Sequence, residues 1–233
     1  MAARIDQHWR AFLEELPWFL EPGEKAEVNN LRPAGSWSAD EEFQAMFPVL
    51  SDLLRRAELT ELTLEGAAHI LFTWDGDTNP QSWLCPSPSS NPPSGLHPAH
   101  ATLLRFFGGI VERANEPSGT WLLNQNDVLT AREAAHDASF LKDYEWAFSK
   151  SAGGIPIVLT DFYSIAREAN GNTTLCHRRD GTILLFATDH AFKHVTPLAG
   201  CPEYSLYTLN GVERFAEWVN VIARQWSSAL SHT

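Results

Sequence analysis

Residues Cys176 to His194, CHRRDGTILLFATDHAFKH, gather one cysteine, three histidines and two aspartates around an apolar run. Thiolate, imidazole and carboxylate are the donors that hold zinc. His190 and His194 have the spacing of a helical metal pair, but Ala191 stands where the HExxH motif needs glutamate. A zinc site built from Asp189, His190, His194 and Cys201 fits the ligand chemistry if a tight loop gathers the four. It would make the chain a metal-dependent hydrolase. Against it, structural zinc sites show closer, paired spacing. Cys176 and His177, as neighbours on one strand, would also face opposite sides of a sheet.

The same stretch reads more simply as a β-hairpin. Asp180-Gly181 separates TTLCHRR from TILLFAT, and glycine tolerates the positive φ of a tight turn. On the second arm Ile183, Leu185 and Ala187 point one way and Leu184 and Phe186 the other, so both faces are apolar and cover is expected on both. One cover is the C-terminal helix, whose apolar stripe is Val212, Phe215, Val219, Ile222 and Trp226. Asn210 is its expected cap, with Glu213 reaching back. On this reading Cys176 is a packed, inert thiol.

Other chemistry is thin. The chain has no G-x-S-x-G elbow, no phosphate-binding GxxxxGK[ST] loop and no G-x-G-x-x-G. The pairs Gly108-Gly109 and Gly153-Gly154 read as helix ends. No carboxylate pair stands out as an acid/base couple, and Asp161, in VLTDFYS, is the one acid flanked by strand residues. Of nine tryptophans, Trp121, Trp146, Trp218 and Trp226 are expected on core faces or their edges, and Trp74 and Trp83 as interface anchors. Trp74, Trp83, Asp161 and Asp189 are therefore the candidate partner-binding residues. No catalytic residue and no cofactor is assigned.

These residues need elements to position them. Ile5, Trp9, Phe12, Leu13 and Leu16 form one helical face, stopped by Pro17. A second helix is expected from a Ser38 cap through Leu54, with Pro48 inside it. Alternation over Leu59 to Leu64, then His69 to Trp74, predicts two strands. The run DGDTNPQSWLCPSPSSNPPSG holds five prolines and reads as a linker or long loop. The expected division is therefore residues 1–95, an N-terminal elaboration, and 96–233, the main domain. Beyond it, Pro98 opens a helix ended by Gly108-Gly109, and GTWLLNQNDVLT reads as a strand. Asp137 caps a helix bearing Phe140, Leu141, Tyr144 and Phe148. Two short strands are expected around Asp161.

The 233 residues carry 29 acidic and 17 basic side chains, a net charge of −12. That balance repels nucleic acid and attracts a basic protein. No run approaches the ~20 apolar residues of a membrane span. The amphipathic, charged start lacks the pattern of a secretory signal, and three scattered cysteines argue for reduced thiols. The chain reads as cytoplasmic.

From His97 onward the order of elements resembles the SUKH superfamily. The carrying segments are HPAHATLLRFFGGI, WLLNQNDVL, GNTTLCHRRDGTILLFATD and NGVERFAEWVNVIARQW. The resemblance implies an α+β fold, with a twisted, mainly antiparallel sheet packed by helices and no catalytic machinery. It implies an immunity protein that neutralises a toxin, such as a nuclease, by direct binding, the partner here being a basic toxin domain. Eukaryotic members of the same superfamily instead regulate cell-wall synthesis, so a regulatory scaffold is a further expectation.

Overall fold

The computed structural model describes residues 2–19, 29–76, 79–117, 127–149, 154–189, 193–228 and 230. The fold is α+β, with two five-stranded antiparallel sheets. The first runs β1 (Asn29–Pro33), β2 (Glu58–Leu64), β3 (Ala67–Trp74), β4 (Gln81–Pro86) and β5 (Glu112–Ala114), each strand beside the next. The second contains β6 (Phe162–Arg167), β7 (Thr173–His177), β8 (Ile183–Phe186), β9 (Val195–Pro197) and β10 (Leu206–Leu209), ordered β6-β7-β8-β10-β9.

Period-two alternation gives each sheet two buried faces. On the first, Leu62, Leu64, Leu71 and Leu84 pack against Trp9 and Phe12 of α1 (Ala2–Glu15) and against Leu16 just after it. The other face, with Leu59, Phe72, Trp74 and Trp83, enters the principal core. That core also takes α2 (Glu41–Met46), α3 (Pro48–Arg55), α4 (Pro98–Leu104) and α5 (Phe215–Ser227), and Ile183, Leu185 and Ala187 of the second sheet. Leu184 and Phe186 pack the opposite way, against Leu141 and Phe148 of a 3-10 segment, Ala138–Phe148. β8 is thus covered on both faces, as its double apolar pattern requires.

Several expectations shift. Residues 41–55 form two helices, not one: Asp40 caps α2 through the Phe43 N–H, and Pro48 opens α3, where its missing N–H costs nothing. The proline-rich run contains an inner strand, because Pro80 and Pro86 bracket β4 and leave its interior N–H groups free to pair with β3. Trp83, Leu84 and Cys85 on it are fully buried. The division at 95/96 lies between β4 and α4; across it β5 pairs with β4, and the principal core draws on both sides.

α5 starts four residues later than expected. Asn210 and Gly211 make a turn, with Gly211 at φ +75°, and the Glu217 carboxylate accepts from the N–H groups of Glu213 and Arg214. Around Asp161 there is one strand, β6, preceded by a 3-10 turn over Leu159–Asp161. Most of the expected strand at GTWLLNQNDVLT, and with it Trp121, lies outside the described residues, as does Gly153. Trp218 and Trp226 are fully buried, but Trp146 is 63% exposed, a correction to its core assignment. Among the described residues no helix is long and apolar enough to cross a membrane.

Candidate functional site

The β7–β8 hairpin forms at Asp180-Gly181 with a four-residue loop, wider than the two-residue turn expected. The His177 N–H reaches the Thr182 carbonyl and the Gly181 N–H reaches the His177 carbonyl. Gly181 has φ +72°, and a Cβ there would lie 2.9 Å from the His97 ring, so both backbone and space require glycine.

Chemistry-bearing side chains do cluster behind this tip. The His100 ring donates from Nε2 to the Leu129 carbonyl at 2.9 Å, which leaves Nδ1 to accept from the Tyr163 hydroxyl at 3.1 Å. The same hydroxyl accepts from the His97 N–H at 3.3 Å. The Arg178 guanidinium lies 5.1 Å over the Tyr163 ring and donates to the Thr160 and Gly95 carbonyls. Asp180 pairs with His177 at 2.9 Å and with Arg214 at 3.2 Å.

Burial sets the protonation of the inner groups. It holds His100 neutral, its pKa lowered to about 4, and pushes the Cys176 thiol up to about 12. The Tyr163 phenol is raised for the same reason. Burial works the other way on Asp180, but hydrogen bonds from Thr182 and the charge of His177 overcome it and bring the carboxyl down to about 2. A thiol that stays protonated is no nucleophile. The cluster also braces backbone: Leu129 sits at φ +61°, held by the His100 bond and by its own N–H on the Ile165 carbonyl. The tip is a structural network.

The candidate metal ligands do not form a described cluster. Asp189 is exposed and accepts from Asn170 Nδ2 at 2.6 Å. His194 is exposed at the start of β9, and its carbonyl takes the Asn210 N–H. Cys201 is half-buried beside the outer core of the second sheet, and burial raises its thiol pKa. His190 lies outside the described residues. Among the described residues no group of three or more His, Cys, Asp or Glu side chains is placed to hold a metal ion.

Of the candidate partner residues, Trp74 and Trp83 are core. They are 3% and 0% exposed, packed edge to face on each other, and Trp74 Nε1 donates to the Leu53 carbonyl. Neither offers surface to a partner. Their alternation in β3 and β4 points both inward, which the linker reading of residues 75–96 concealed. Asp161 is half-buried at the end of its 3-10 turn, its carbonyl bonded to the Arg178 N–H. Asp161 and Asp189 sit at separate points, one before β6 and the other after β8.

Two other described tryptophans are exposed. Trp18 is 70% exposed and Trp146 63%. Trp18 follows Pro17 and falls off the apolar stripe of α1, a signal present in the sequence. It lines a groove of about 360 Å³ where the end of α1 meets β5 and Ala169 of the β6–β7 turn. Glu15, Glu112, Glu116 and Arg113 also line it. Arg113 is 8% exposed and its Nε donates to Glu116 at 2.9 Å. Burial raises the Glu112 pKa, helped by the nearby charges of Asp127 and Glu116. The described residues lining the groove thus include three glutamates and one arginine. Comparison of the chain with protein families, curated proteins and solved structures finds no match.

Proposed function

We propose that this chain is a non-enzymatic, cytoplasmic binding protein that neutralises a basic protein domain by direct contact, in the manner of SUKH immunity proteins acting on a toxin. One observation carries the reading: a chain of net charge −12 presents large apolar side chains to solvent. Trp18, Trp146, Val158 and Tyr204 are 70%, 63%, 62% and 45% exposed. Exposed tryptophan and tyrosine act as anchors when a partner desolvates them, and the acidic field speeds the approach of a cationic surface.

The test is co-expression with each toxin encoded beside the gene. One of them is expected to lose its toxicity and to form a stable complex whose association slows as salt rises. Failure to protect cells from every neighbouring toxin would overturn the proposal. Co-purification of a signalling protein instead would favour a regulatory scaffold.

A further inference from the structure

The groove between α1 and β5 combines a concave shape, an open indole and an unbalanced set of charges. Its tryptophan is 70% exposed, although the described tryptophans of the principal core, Trp37, Trp74, Trp83, Trp218 and Trp226, are all below 9%. Its described lining includes three glutamates and one arginine, Arg113, which pairs with Glu116. That pair shows what the walls accept, since a guanidinium sits there 8% exposed and hydrogen-bonded to a carboxylate. Burial raises the Glu112 pKa, and the nearby charges of Asp127 and Glu116 add to the rise. A cation entering would lie beside these carboxylates and against the π-face of Trp18.

We propose that this groove is the contact site for the basic partner and that it takes an arginine side chain, stacked on Trp18 and paired with the groove's carboxylates. This rests on the reading of the chain as a binder of a basic domain. Arginine is the fitting cation because its planar guanidinium stacks on an aromatic face and pairs with carboxylate through two parallel hydrogen bonds. Lysine offers a more strongly hydrated point charge and does neither as well.

The probe is a hexa-arginine peptide, with hexa-lysine of the same charge as comparison, followed by calorimetry and tryptophan fluorescence. The intact chain is expected to bind hexa-arginine about threefold tighter or more than hexa-lysine. Trp18→Ala removes that preference and Trp18→Phe keeps part of it. Glu15→Gln weakens both peptides and flattens their salt dependence, whereas Glu145→Gln, the same charge change on the 3-10 segment of the second sheet, leaves both within about twofold. Equal binding of the two peptides, a preference that survives Trp18→Ala, or equal effects of the two glutamine variants would overturn the assignment. A thermal melt of each variant checks that the fold is intact.

The two proposals fail separately. Neutralisation of a neighbouring toxin with undiminished affinity by Trp18→Ala would sink the groove and leave the function standing. Trp18-dependent arginine binding without protection from any toxin would do the reverse.

Discussion

Behind the β7–β8 hairpin tip, histidine, tyrosine, aspartate and arginine are bonded to one another and to backbone carbonyls. In the groove between α1 and β5, the described lining holds three glutamates and one arginine beside an indole open to solvent. The tip has the greater variety of chemistry-bearing groups, yet it spends them on holding β6, β7 and α4 together. The groove has plainer residues; Glu112, Arg113, Asn115 and Glu116 are bonded within the fold there too, but the Trp18 indole stands 70% exposed beside them. A polar group satisfied within the fold is committed to structure, and one that faces solvent beside an apolar surface is available to a partner.

If this contrast is right, substitutions at the tip damage stability and those in the groove damage only binding. Tyr163→Ala removes a fully buried ring and the hydroxyl shared by His97 and His100. It is expected to cost about 4 kcal/mol, read by urea denaturation, and to lower the melting temperature by roughly 10 °C. A loss below about 1 kcal/mol would show that the tip is not a brace.

His100 adds a smaller, pH-dependent effect. Its folded pKa of about 4 lies below the ordinary 6.5, so between those values the unfolded chain binds a proton that the folded one refuses. Stability should therefore fall as pH drops below about 6.5, with roughly 2 kcal/mol lost by pH 5 from this group. Denaturant titrations at pH 7 and pH 5 measure it, and His100→Gln should reduce the difference. If the variant shows the full wild-type loss, the ring is not held neutral.

The smallest expected effect on stability is at Trp18. An indole 70% exposed contributes little to the core, so Trp18→Ala should change unfolding free energy by less than about 0.5 kcal/mol. A thermal melt that falls by more than a few degrees would place Trp18 with the structural residues and remove the contrast.

Much of the architecture was legible from local pattern. The alternation of β2 and β3, the apolar stripe of α1 and the doubly apolar Ile183–Ala187 arm each predict an element and the faces it buries, because period and burial are tied by backbone geometry. Boundaries were less so. Pro48 read as an interruption begins a helix, and the prolines read as a linker fence off β4, since proline excludes a position from a ladder without excluding its neighbours. The partner residues Trp74 and Trp83 were misplaced by that same reading. Trp18 was overlooked although its position beyond Pro17 set it off the stripe.

The sequence by itself determined a mixture of helices and strands, the acidic balance and the hairpin corner at Asp180-Gly181, because composition, side-chain period and the conformational freedom of glycine act over a few residues. Only the tertiary structure decided that Tyr163, His100 and Cys176 would be sealed inside while Glu15, Trp18, Glu112 and Glu116 would meet at one groove. Those groupings join residues from separate elements, the groove's some hundred positions apart. Their exposure depends on which faces of two sheets find cover, and no local pattern carries that information.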